Sequence, residues 1–187
     1  MSANNIPYEF SFFDVNNDLI ISKPGNLFLL PGQTKYVILP KITSNKSVSR
    51  ATLTFTQTPN WQKRLQLPKI SITTPPPLTY NQFQPPTFIA EGSYTNQSPY
   101  RLRSVRLTII LYDSSGAIIG SSQRDDFDLL PFERRAYKIL WPNVFATNIG
   151  KTEVVAETNI LDPMNITLPT ENNPASDLTR PSGNSNY

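Results

Sequence analysis

Apolar and polar residues alternate along much of this chain with a period of two. Val105, Leu107, Ile109 and Leu111 share one parity and Arg106, Thr108 and Tyr112 the other, the pattern of a strand with one buried side. Leu102 falls on the opposite parity, so a bulge or bend is expected near Ser104. Arg135, Tyr137, Ile139 and Trp141 alternate with Arg134, Ala136, Lys138 and Leu140, and Tyr36 with Ile38 repeats this pattern earlier. Further strands are expected at 51–58, 87–95 and 152–160, where β-branched or aromatic residues recur at alternate positions. Nothing has helical periodicity, and short strands parted by turns at intervals of roughly 8 to 12 residues favour an all-β sandwich.

The segments occur twice. Phe10-Ser-Phe-Phe-Asp14 leads to Leu19-Ile-Ile21, Phe28-Leu-Leu-Pro31 and Lys35-Tyr-Val-Ile-Leu-Pro40. Ile109-Ile-Leu-Tyr-Asp113 leads to Ala117-Ile-Ile119, Asp128-Leu-Leu-Pro131 and Ala136-Tyr-Lys-Ile-Leu-Trp-Pro142. A period of roughly one hundred residues exceeds that of short solenoid repeats and indicates duplicated domains. The second copy also has an opening strand at 87–95 and a turn at 96–100. The first begins almost at its main strand, so its opening strand should lie before Met1, or its sheet edge is open and prone to pairing with another strand.

The expected organisation is two tandem immunoglobulin-like β-sandwich domains, 1–72 lacking its opening strand and 87–168 complete. Residues 73–86, with three consecutive prolines, read as a semi-rigid extended linker, and 169–187, rich in Asn, Pro and Ser, as a disordered tail.

Composition narrows the chemistry. The 187 residues include no Cys and no His, which removes disulfides, thiolate metal sites and most hydrolase triads. Carboxylates, Lys, Tyr and Ser remain for catalysis. The net charge of +3 is uneven: eight cations against three acids over 1–72 give +5, eight against nine over 73–168 give −1, and the tail carries one against two. No run of roughly 18 to 20 apolar residues is present, and the first seven residues are too polar for a signal peptide.

Phe10-Ser-Phe-Phe-Asp14 and Ile109-Ile-Leu-Tyr-Asp113 resemble the FxLYD motif, which marks a small immunoglobulin- or fibronectin-like module of prokaryotic surface proteins. The second keeps Leu111, Tyr112 and Asp113 with Ile109 for the motif's Phe; the first keeps Phe10 and Asp14, with Phe12 and Phe13 for Leu and Tyr. With Pro31, Pro131, Asn60-Trp61, Tyr94-Thr-Asn-Gln-Ser98, Trp141-Pro142 and Glu157-Thr-Asn159, residues 7–165 resemble envelope proteins of bacteria with reduced genomes that carry two such modules after a membrane anchor. The resemblance implies an extracytoplasmic, membrane-anchored full-length form, although this chain lacks the anchor. It implies no activity.

Candidate sites compete with ordinary structural roles. Asp14-Val-Asn-Asn-Asp18 begins like a calcium loop, but Leu19 replaces the required Gly and Gly25 the bidentate Glu, so a polar hairpin turn is the better reading. Asp125, Asp126, Asp128 and Glu133 contain a possible acid–base pair, with Arg124, Arg134 and Arg135 nearby to make ordinary charge pairs. Asp113 reads as a turn acceptor. Tyr100, Tyr112, Trp141 and Arg106 are the candidates for a ligand face, since aromatic rings beside cations suit glycans; Trp61 and Trp141 equally suit core or rim packing. Without a basic face or an RNA-binding motif, nucleic acid is not an expected partner.

The expectation is therefore a non-enzymatic cell-envelope protein, a structural spacer or display and binding module with no cofactor or metal. Envelope proteins or glycans are its candidate partners. The alternatives are a dedicated glycan or envelope-polymer binder and an assembly subunit that pairs through an open sheet edge.

Overall fold

The alternating segments form eleven strands in a computed structural model that describes residues 1–39, 43–63, 66–142 and 149–168. The all-β reading holds: apart from one 3₁₀ turn at Pro163–Asn165, every regular element among the described residues is a strand. The tail from 169, expected to be disordered, lies outside the described residues.

Copy two is a sandwich. One sheet centres on β6 (Pro86–Asn96), with β9 (Arg134–Pro142) on one side and β4 (Ile72–Thr73) and β5 (Leu78–Phe83) on the other. The facing sheet centres on β7 (Arg101–Asp113), flanked by β8 (Ile118–Leu129), β10 (Ile149–Glu157) and the short β11 (Ile166–Thr167). All pairings are antiparallel. Val105, Leu107, Ile109 and Leu111 meet Phe88, Tyr94 and Tyr137 from the opposite sheet in one core, closed at an end by Leu102 and Leu129. The parity read from the sequence thus identifies the inward face of β7, and removing those side chains from water is the main force holding the two sheets together.

Copy one supplies a second sheet, β2 (Leu19–Leu29), β1 (Ala3–Phe13) and β3 (Arg50–Phe55), in the order β2-β1-β3. By repeat and register, β1, β2 and β3 correspond to β7, β8 and β10. The register steps by one residue at matching places, between Phe12 and Phe13 and between Leu111 and Tyr112. Both following turns close alike: Asp14 N donates to Asp18 O at 3.0 Å, and Asp113 N to Ala117 O at 2.9 Å. The corners match as well, with Gln33 N on Leu30 O at 3.3 Å and Glu133 N on Leu130 O at 3.2 Å. Gly32 (φ 68°) and Phe132 (φ 59°) take the same left-handed conformation there.

Three local expectations require correction. Residues 73–86 are not simply a linker, because β5 and the end of β4 pair with β6 inside this stretch. Thr74 to Pro77 interrupt the edge, where the three prolines offer no amide donors and Thr74 Oγ1 crosses to donate to Val154 O at 3.0 Å. The buried side of β7 does change parity near Ser104, Leu102 and Val105 both being fully buried, but no register step with β8 accompanies it. There β7 instead passes from β10 to β11, and Asn165 bridges the junction by accepting from Ser104 N at 2.8 Å and donating to Thr158 Oγ1 at 2.7 Å. Third, residues 35–39 form no strand, although their alternation matches β9. The cause lies in the pairing: β9 is held by β6 alone, and no described strand of copy one corresponds to β6.

Candidate functional site

Residues 33–39 form a strap across the outer face of β7, β8 and β10. Lys35 Nζ reaches Glu157 Oε1 at 2.5 Å, and both side chains are more than nine-tenths buried. Gln33 Nε2 donates to the other Glu157 oxygen at 2.9 Å, and the Tyr36 and Tyr112 hydroxyls lie 3.1 Å apart. Burial pulls the Lys35 ammonium below its usual range, and its bond to Glu157 opposes that shift. The hydrogen bond with Tyr36 is the main cause that raises the Tyr112 phenol. The strap explains why β7 is buried on both faces: Thr108 and Ile110, on the outward parity, are 2% and 1% exposed.

On the strap's other side lies the sheet of copy one. Tyr8, Leu27, Tyr36, Ile38, Arg106 and Gln123 meet around a cavity of about 50 Å³. Tyr8 belongs to a face shared with Ile6, Phe10 and Phe12, the counterpart of the inward face of β7. Its rings form a ladder, Tyr8 to Phe10 at 5.8 Å edge-on and Phe10 to Phe12 at 6.1 Å stacked. These three rings are half-buried, whereas Leu53 and Phe55, their neighbours on β3, remain 38% and 46% exposed. In copy two the corresponding face is covered by β6 and β9.

The residues proposed for a ligand face do not converge. Tyr100 and Tyr112 stand near opposite ends of β7, about 40 Å apart along an extended strand. Tyr100 packs at the rim of the core, and Tyr112 binds Tyr36 beneath the Lys151 ammonium, 5.4 Å from its ring. Arg106 is held in a two-pronged pair with Asp125 at 2.7 and 2.9 Å, and Trp141, on the opposite sheet from Arg106, points inward against its cross-strand neighbour Phe88 at 5.5 Å. Trp61 is 48% exposed.

The acidic cluster resolves into ion pairs. Asp128 pairs with Arg101 at 2.6 Å, Asp126 with Arg124 at 2.7 Å and Glu133 with Arg135 at 2.7 Å. Asp126 also accepts from the buried Tyr94 hydroxyl at 2.5 Å, and burial followed by this bond raises the Tyr94 phenol. Arg106 holds the Asp125 carboxyl below its usual range. Asp14 accepts from the amides of Asn16 and Asp18 at 3.0 and 2.9 Å and from Lys46 at 3.0 Å, so both carboxylate oxygens of the first residue of the calcium-like sequence serve a hairpin turn. Asp113 likewise accepts from Ser115 N, Ser115 Oγ and Ala117 N at 2.6 to 3.0 Å.

A groove of about 1020 Å³ is lined by residues of β6 and β9 with Pro75, Pro76, Leu78 and Arg124. Its Lys138 lies 3.6 Å from Glu91, and its Arg134 donates to Ser93 Oγ at 2.8 Å. Sequence reasoning missed the strap as a site because it read Tyr36 and Ile38 as ordinary core. The available signal was the pairing of a β9-like segment with no β6-like segment in copy one. No family model, curated protein or solved structure matches the chain. Among the described residues no helix is long and apolar enough to cross a membrane.

Proposed function

We propose that this chain is a non-enzymatic structural and display module of a cell envelope, a tandem of β units that sets surfaces apart and presents them. The observation that supports this reading is the reuse of one strand–turn–strand–corner unit, matched to the same register step, aspartate turn and left-handed corner residue. The carboxylates that offered acid–base chemistry serve turns and ion pairs, which is scaffold work. The envelope location rests on the resemblance to FxLYD modules. A dedicated glycan binder gains no support from Tyr100, Tyr112, Trp141 and Arg106, which lie on separate faces and ends.

Two assays test the proposal. Antibody detection in fractionated source cells should find the protein with the envelope, and recovery from the cytosol alone would contradict that location. A glycan array with the purified chain should give no saturable signal. Saturable carbohydrate binding that is lost in Tyr112→Ala or Trp141→Ala, with the fold intact, would replace the spacer reading by the glycan one.

A further inference from the structure

Every residue of β9 from Arg134 to Pro142 faces a residue of β6, from Thr95 back to Thr87. The counterpart segment in copy one keeps the same alternation, Tyr36 and Ile38 standing where copy two has Tyr137 and Ile139. Lys35–Leu39 are half-buried, as a sheet strand would be. Yet the main chain of Thr34–Leu39 makes no main-chain hydrogen bond among the described residues. Partly buried peptide groups without partners are costly, and an unpaired extended segment is the template on which strand addition operates. Beside it the Tyr8, Phe10 and Phe12 face runs out to Leu53 and Phe55, uncovered at the β3 side.

We propose that copy one takes up a further strand with the chemistry of β6, one that the described residues do not supply, which adds antiparallel to Lys35–Leu39 and extends the cover over this aromatic face. Copy two specifies the chemistry of that strand. In β6 the inward residues are Phe88, Ala90, Gly92 and Tyr94, opposite Trp141, Ile139, Tyr137 and Arg135. Gly92 leaves room for the tyrosine, since a Cβ there would stand 2.7 Å from Tyr137 Oη. The incoming strand therefore carries a very small residue opposite Tyr36, a small one opposite Ile38 and an aromatic residue at the end nearest Thr34. Its outward positions toward the Thr34 end are free to be polar, as Glu91, Ser93 and Thr95 are in β6, whereas the position matching the buried Ile89 is apolar.

The probe is a fluorescein-labelled peptide with the sequence of residues 87–96, titrated with the full chain and followed by fluorescence anisotropy. The proposal expects saturable one-to-one binding. At least one of Val37→Pro and Ile38→Pro should weaken it tenfold or more, because proline removes a ladder donor. In the unaltered protein, peptide should slow amide exchange at 34–39, a readout independent of whether either variant folds. The absence of saturable binding would overturn the proposal. So would protection confined to β5 and β9, the ladder partners of β6, which would mean that the peptide had exchanged into copy two.

Discussion

Asn96 offers the sharpest test of how the sandwich of copy two is closed. Its side chain is fully buried at the end of β6 and uses both ends: Nδ2 donates to Tyr100 O at 2.7 Å and Leu130 O at 2.9 Å, while Oδ1 accepts from Ser98 N at 3.0 Å and Ser98 Oγ at 2.6 Å. One amide thus ties β6 to the start of β7 and to the corner after β8. Asn96→Ala leaves two carbonyls and the Ser98 amide without these partners, while the Ser98 hydroxyl can rotate to another. At about 1–3 kcal/mol for each buried group left unpaired, with partial relief by water at the rim, the loss should be about 2–4 kcal/mol. Asn96→Asp should be no better, since it keeps the acceptor for Ser98 but sets a second oxygen against the two carbonyls. Urea unfolding followed by Trp141 fluorescence measures the loss, because that indole packs on Phe88 in the same core. A change below about 1 kcal/mol with an unaltered denaturant slope would refute the assignment of this side chain as the clasp.

Further outcomes follow from other contacts. Lys35→Met strips Glu157 of its buried cation and should cost about 2–4 kcal/mol, and adding Glu157→Gln should recover much of it; additive losses in a double-mutant cycle would contradict a coupled pair. Tyr94→Phe removes the bond to Asp126 from a fully buried ring and should cost about 1–2 kcal/mol in the same urea assay, whereas an unchanged midpoint would show the bond to be idle. The Asp113 carboxyl is held below its ordinary value of 3.8, first by the Ser115 hydroxyl and then by the Ala117 amide. Its contribution is therefore complete above that value and lost as pH falls through the lower folded one. Melting curves of Asp113→Asn should accordingly fall less steeply than those of the unaltered chain between pH 5 and pH 2, and parallel curves would remove Asp113 from the acid response.

Strand periodicity was legible wherever one sheet face is buried and the other wet. Val105 to Leu111 alternate because β7 faces a single core, and their parity alone located that core. The duplicated turn and corner were also legible, since Asp14 and Asp113, and Leu30 and Leu130, do their work through local hydrogen bonds. What remained hidden depends on distant partners. Tyr36 and Ile38 carry the pattern of a strand, but a strand also needs a neighbour to bond, and alternation says nothing about who that is. The proline run hid β5 for a related reason: an edge strand needs donors on one side only, so prolines can break it at Pro75–Pro77 and let it resume at Leu78. The ligand candidates are not brought together because aromatic and cationic residues close in sequence are dispersed along a strand and across two sheets.

Site-resolved amide hydrogen exchange of the free chain by NMR bears most directly on the idea of a repeated unit whose first copy awaits a strand. Slow exchange is expected in the ladders of β1, β6, β7 and β9, with fast exchange at 34–39 despite its half-buried side chains. Protection at 34–39 equal to that of 134–141 would mean that the segment already has its partner, and the account would be wrong.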